Sequence, residues 1–135
     1  METRVSSATK EVIIGDERPT VLIGERINPT GKKKLAAALQ AGDLELIRQE
    51  ALAQVQAKAD ILDINVGAAG VEEITLLPQA VQAVMNIVDV PLCLDSSNPK
   101  ALEAALKIYR SKPLINSVTG QENSLKEVLP LVKEY

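Results

Sequence analysis

Leu92-Cys93-Leu94-Asp95-Ser96-Ser97-Asn98-Pro99 decides the fold. Three apolar residues in a row, led in by Pro91, read as a short strand buried on both faces, as parallel strands are. The run stops at Asp95. Asn98 then has the chemistry of a helix N-cap, and Pro99 suits the first turn of the helix that follows through Ala101–Tyr109. This is one strand–helix unit, with its polar residues gathered at the exit of the strand.

The same unit recurs on either side. Upstream, Thr20–Glu25 leads into the breaker-rich loop Arg26-Ile27-Asn28-Pro29-Thr30-Gly31. A helical pattern over Lys32–Ala41 follows, then a second over Leu44–Ala59 with Asp43 as its N-cap. Ile61–Val66 is the next strand, and Glu72–Val88 the next helix, started or interrupted by Pro78. Downstream, Pro113–Asn116 is a fourth strand and Asn123–Glu134 a fourth helical unit. Ahead of all this, Glu11–Gly15 and Thr20–Glu25 flank the turn Asp16-Glu17-Arg18-Pro19 and predict a small hairpin. Residues 1–10 are polar and read as a flexible N-terminus, leaving 11–135 as the domain. Alternating strands and helices select an α/β fold with right-handed crossovers.

Composition narrows the chemistry. The chain has 135 residues, no His, one Cys, and only Tyr109 and Tyr135 as aromatics. The absence of His removes the commonest general base and most zinc sites, so no metal is expected. A net charge of -3 and few aromatics argue against nucleic acid. Lys32-Lys33-Lys34 reads as a solvated helix face. No apolar run approaches the roughly 20 residues of a membrane span, and no signal peptide is visible. With Cys93 unpaired, a reducing cytoplasm is the expected location.

Polar side chains cluster where strands end: Glu25 and Asn28, then Asp63 and Asn65, then Asp95, then Asn116 and Ser117. In barrels and in open α/β sheets this is the ligand face. Carboxylates and amides without cations suit a neutral heterocycle with an amide-like edge, such as a pterin. Each residue also has a structural reading. Asp95 and Asn116 divide evenly between ligand contact and turn or cap formation. Asp63, between Leu62 and Ile64, is a carboxylate that needs a partner if buried, and Arg26 is available. Glu25 and Arg26 can equally pair with each other. Cys93 reads as a small core residue.

Taken in order, Gly24-Glu25-Arg26-Ile27-Asn28, Leu62-Asp63-Ile64-Asn65-Val66-Gly67, Leu92-Cys93-Leu94-Asp95-Ser96 and Ile115-Asn116-Ser117 resemble the methyltetrahydrofolate:corrinoid methyltransferases. They are also similar to the folate domain of cobalamin-dependent methionine synthase. The resemblance covers residues 20–135. It implies a (β/α)8 TIM barrel, of which this chain carries the N-terminal half: four βα units behind a hairpin. It implies a pterin held by Asp95 and Asn116, with Asn65, Asp63, Glu25, Asn28 and Ser117 on the same face. It further implies methyl transfer between methyltetrahydrofolate and the Co(I) of cobalamin on a partner corrinoid protein. No catalytic residue is assigned, because the family's protonation machinery lies on later strands. A dihydropteroate synthase-like enzyme is disfavoured by Asn28-Pro29-Thr30-Gly31-Lys32, which lacks that family's phosphate-handling loop pattern. A non-catalytic half-barrel that binds pterin or serves assembly is the other alternative. Four parallel strands cannot close a barrel, so two exposed edges, a large apolar patch on the inner face, and a homo-oligomer or complementing chain are expected.

Overall fold

The computed structural model describes residues 1–135. Four strands, β3 (Ile23–Ile27), β4 (Ile61–Ile64), β5 (Leu92–Asp95) and β6 (Leu114–Asn116), form one parallel sheet in chain order. Ahead of it, β1 (Glu2–Ser6) and β2 (Glu11–Gly15) pair antiparallel as a separate hairpin. Helices α1 (Lys33–Gln40) and α2 (Glu45–Gln56) follow β3; α3 (Glu73–Met85) follows β4, α4 (Pro99–Ile108) follows β5 and α5 (Glu122–Glu134) follows β6. The strand order without reversal, with a helical crossover after every strand, is half of a (β/α)8 barrel.

Side-chain alternation splits the sheet into two faces. Leu62, Ile64, Leu92 and Leu94 turn toward the helices and join Leu77, Val81 and Leu102 in the main core. Ile61 and Cys93 face the other way, where they pack with Val5 of β1 and with Val12, Ile14, Val21 and Leu114. The hairpin therefore plugs the N-terminal end of the inner face. Tyr109, just past α4, anchors it: its hydroxyl donates to the Ser6 carbonyl at 2.8 Å and accepts from Leu92 N at 3.1 Å. Ser6 N also donates to the Lys112 carbonyl at 2.8 Å.

Several expectations need correction. The hairpin is Glu2–Ser6 with Glu11–Gly15, so residues 1–10 are not a loose lead and Thr20–Val21 pair with nothing. Val5, 2 % exposed, supplies the buried contact that makes the first strand worth ordering. Pro78 lies inside α3, which continues through it. Asp43 does not cap α2 from the N-cap position; Leu44 sits there, and the Asp43 carboxylate accepts from Glu45 N at 2.9 Å. Asn98 does cap α4, accepting from Lys100 N at 3.0 Å. The inner face is not a broad apolar patch, because the hairpin covers its lower end and its upper end is polar. Ile23, at the start of β3, remains exposed, and Leu125, Leu129 and Val132 are exposed on α5.

Candidate functional site

Every inner-face strand reads apolar at its start and polar two residues on: Ile23 then Glu25, Ile61 then Asp63, Cys93 then Asp95, Leu114 then Asn116. Period two puts each pair on one face. The apolar members sit toward the hairpin and the polar members toward the carboxyl ends. A register shift between Gly24 and Ile27 interrupts this on β3 and turns Ile27, fully buried, into the helix-side core. Gly24 has a local reason: a Cβ there would lie 2.4 Å from Gln54 Oε1. That oxygen accepts from Arg26 N at 3.1 Å, so the helix α2 side chain satisfies the strand where its ladder breaks.

Asp95 and Asn116 are direct register partners on β5 and β6. Asn65 Nδ2 donates to Asp95 Oδ2 at 3.0 Å, while Asn65 Oδ1 accepts from Gly67 N at 2.8 Å. Both ends of the Asn65 amide are thus engaged, and it fixes the Asp95 carboxylate rather than presenting a free edge. One level down, Asn116 Nδ2 donates to Asp63 Oδ2 at 3.3 Å. Carboxylate oxygens of Glu25, Asp63 and Asp95 all lie within 4.8 Å of one another. The polar strand ends open into two neighbouring hollows. One is lined by Ile23, Glu25, Asp63, Cys93 and Asn116, the other by Asn65, Asp95, Ser96 and Ser117.

Asp63 is 3 % exposed. Burial pushes its carboxyl up to about 6; the Cys93 thiol and the Asn116 amide oppose this by hydrogen bonding to it, and the neighbouring Asp95 adds to it. Arg26 does not neutralise it. The Arg26 guanidinium pairs with Glu50 of α2 at 2.9 Å, so neither the Arg26–Asp63 nor the Arg26–Glu25 pairing exists. Cys93 packs in the inner core, and burial with Asp63 alongside raises its thiol, which keeps it an unreactive proton-bearing group.

Asn28 does not join the convergence. Its Oδ1 accepts from Thr30 N at 3.0 Å and holds the β3–α1 loop turn. Of the lysine triplet, Lys32 Nζ donates to the Arg26 carbonyl at 2.6 Å, and Lys33 and Lys34 are exposed. Two residues were not singled out by sequence. Ser96 is 3 % exposed; its hydroxyl donates to Glu73 Oε1 at 2.9 Å and accepts from Asn98 N at 3.0 Å, tying the β5 exit to the start of α3. Gln54 is buried on α2, and only its contact with β3 reveals its role. A Ser after a strand is an ordinary turn residue, so its burial was the missing signal.

The polar strand ends thus gather on one face of the half-barrel, at the carboxyl ends of its strands. Residues 24–135 match the family of pterin binding enzymes, and the chain belongs to that family. It is 35% identical over 114 residues to the methylcorrinoid:tetrahydrofolate methyltransferase of Eubacterium limosum, across 82% of this chain and 41% of that protein. It is 27% identical over 139 residues to the methionine synthases of Mycobacterium leprae and Mycobacterium tuberculosis, across 99% of this chain and 12% of each.

Proposed function

We propose that the chain binds the pterin ring of methyltetrahydrofolate across the ends of β5 and β6. In this reading it takes part in methyl transfer between that folate and the Co(I) of cobalamin on a partner corrinoid protein. The observation that carries this is the register pair Asp95–Asn116, with Asp95 oriented by Asn65 and Asn116 set against Asp63. A carboxylate there accepts from the pterin's ring N–H and exocyclic amine together, and the neighbouring amide meets a mixed donor–acceptor edge. Ser117 and Glu25 border the same surface; Asp63 and Asn65 act through the residues they hold.

The partner corrinoid supplies Co(I) as methyl acceptor, or the methyl group in the reverse direction. The folate N5 leaves poorly as an amide-like anion, so transfer needs a proton or hydrogen bond at N5 near the transition state. These strands contribute orientation and fixed dipoles around the ring, which gain value as charge shifts from N5. The open edges of β3 and β6 and the exposed apolar side of α5 support a second copy or a complementing chain as the other half of the pocket. A reducing cytoplasm fits the single unpaired Cys93.

The test is methyl transfer from methyltetrahydrofolate to cob(I)alamin, by the purified chain alone and with a polypeptide carrying the remaining strands. Transfer by the chain in either setting, abolished by Asp95→Ala, supports the proposal. Pterin binding without transfer in both settings would instead make it a non-catalytic pterin-binding subunit.

A further inference from the structure

We propose that Asp63 is a positioning residue for the ligand: it holds the Asn116 side-chain amide one way round, with Nδ2 turned back into the sheet and Oδ1 left to accept from the ring. This rests on Asn116 being a pterin contact. Register explains how the two residues meet. Asp63 sits level with Cys93, and Cys93 with Leu114; Asp95 and Asn116 form the next level toward the carboxyl ends. Asn116 therefore leans back across β5, past the small Cys93 side chain, and donates Nδ2 to Asp63 Oδ2 at 3.3 Å. Both residues line the same hollow.

An amide is nearly symmetric in shape, and its last torsion has two wells of similar energy. Turned over, Asn116 would offer an N–H where the ring also carries one. Asn65, the other amide of the site, is fixed at both ends, by Asp95 at 3.0 Å and by Gly67 N at 2.8 Å. Asn116 has Asp63 alone to set its orientation.

Asp63 does this only while it is a pure acceptor. Its carboxyl, 3 % exposed, is pushed up to about 6 by burial. The titratable groups facing it are Cys93 and Asp95 on β5 and Glu25 on β3, and none is a cation. Cys93 keeps its proton, because burial raises its thiol. Once protonated, Asp63 has an O–H that can donate to Asn116 Oδ1 and favour the inverted amide. Acid thus stabilises the fold at this residue and disorders the site.

Calorimetric titration of methyltetrahydrofolate into wild type and Asp63→Asn at pH 7 and pH 5, beside a denaturant midpoint for each, tests this. An asparagine pairs with Asn116 in either orientation. Asp63→Asn should therefore bind about three- to tenfold more weakly at pH 7, with a midpoint no lower than wild type. Wild type should lose more affinity between pH 7 and pH 5 than the variant does; protonation of the ligand affects both alike. A role confined to stability predicts full affinity in a variant at least as stable as wild type. Equal affinities at pH 7, or equal losses on acidification, overturn the proposal and leave the pterin reading standing. No binding by wild type in any assembled form removes the pterin reading, and this proposal with it. If Asp63→Asn does not fold, the side-chain amide resonances of Asn116 in wild type, without folate, decide the matter. They should shift as pH falls through about 6, and signals that stay fixed overturn the assignment.

Discussion

At Asp63 the carboxyl is buried on the inner face, with Asn116 donating to one oxygen and the Cys93 thiol beside it. Its folded-state pKa of about 6 lies above the ordinary 3.8, so the fold prefers the protonated form. The resulting stability is fully present below about 3.8 and is lost as pH rises through about 6. A displacement of one pKa unit is worth about 1.4 kcal/mol, and screening through the open side trims the total to about 1–2 kcal/mol. Asp63→Asn should therefore raise stability at pH 7 by about that amount and flatten the rise otherwise seen between pH 7 and pH 4. Urea melts at several pH values would show it; a variant less stable at pH 7 with an unchanged pH profile would contradict the burial argument. Asp95 and Asn116 stood out in the sequence because apolar runs stop there. Asp63's true neighbour did not, because the sequence offered Arg26 close by and gave no register to bring Asn116 across two strands.

The hairpin makes the corresponding point for elements. Glu2–Ser6 is polar at four of its five positions, and one buried Val5 is too little to show as alternation. Only the contact of Val5 with Ile61 and Cys93, far along the chain, gives that strand a purpose. The parallel strands were legible because double-sided burial writes itself as consecutive apolar residues. Tyr109 links the two: removing its hydroxyl leaves the buried Leu92 N–H bare and releases Ser6. Tyr109→Phe should cost about 1–3 kcal/mol, measured by denaturant midpoint, and should expose hairpin amides to faster hydrogen exchange. In the main core, Leu77→Ala, at a fully buried α3 position, should cost about 2–5 kcal/mol.

At the scale of the chain, the half-barrel has β3 and β6 as edges and Leu125, Leu129 and Val132 exposed on α5. Edges and apolar faces of this kind favour association. Light scattering should give a mass above one chain at micromolar concentration, with a Leu129→Glu variant shifted toward the monomer; a concentration-independent monomer for both would contradict it. The order of strands and helices, and hence the half-barrel, followed from the sequence; the two hollows and their partition of the polar residues needed register. The central claim is that the polar ends of β5 and β6 form a pterin-binding surface. Equilibrium titration with methyltetrahydrofolate measures it most directly, with pterin pyrophosphate as the comparison ligand. Saturable binding of methyltetrahydrofolate and not of the pyrophosphate, weakened at least tenfold in both Asp95→Ala and Asn116→Ala, is the predicted result. Binding that survives both substitutions, or no binding in any assembled form of the chain, would contradict it.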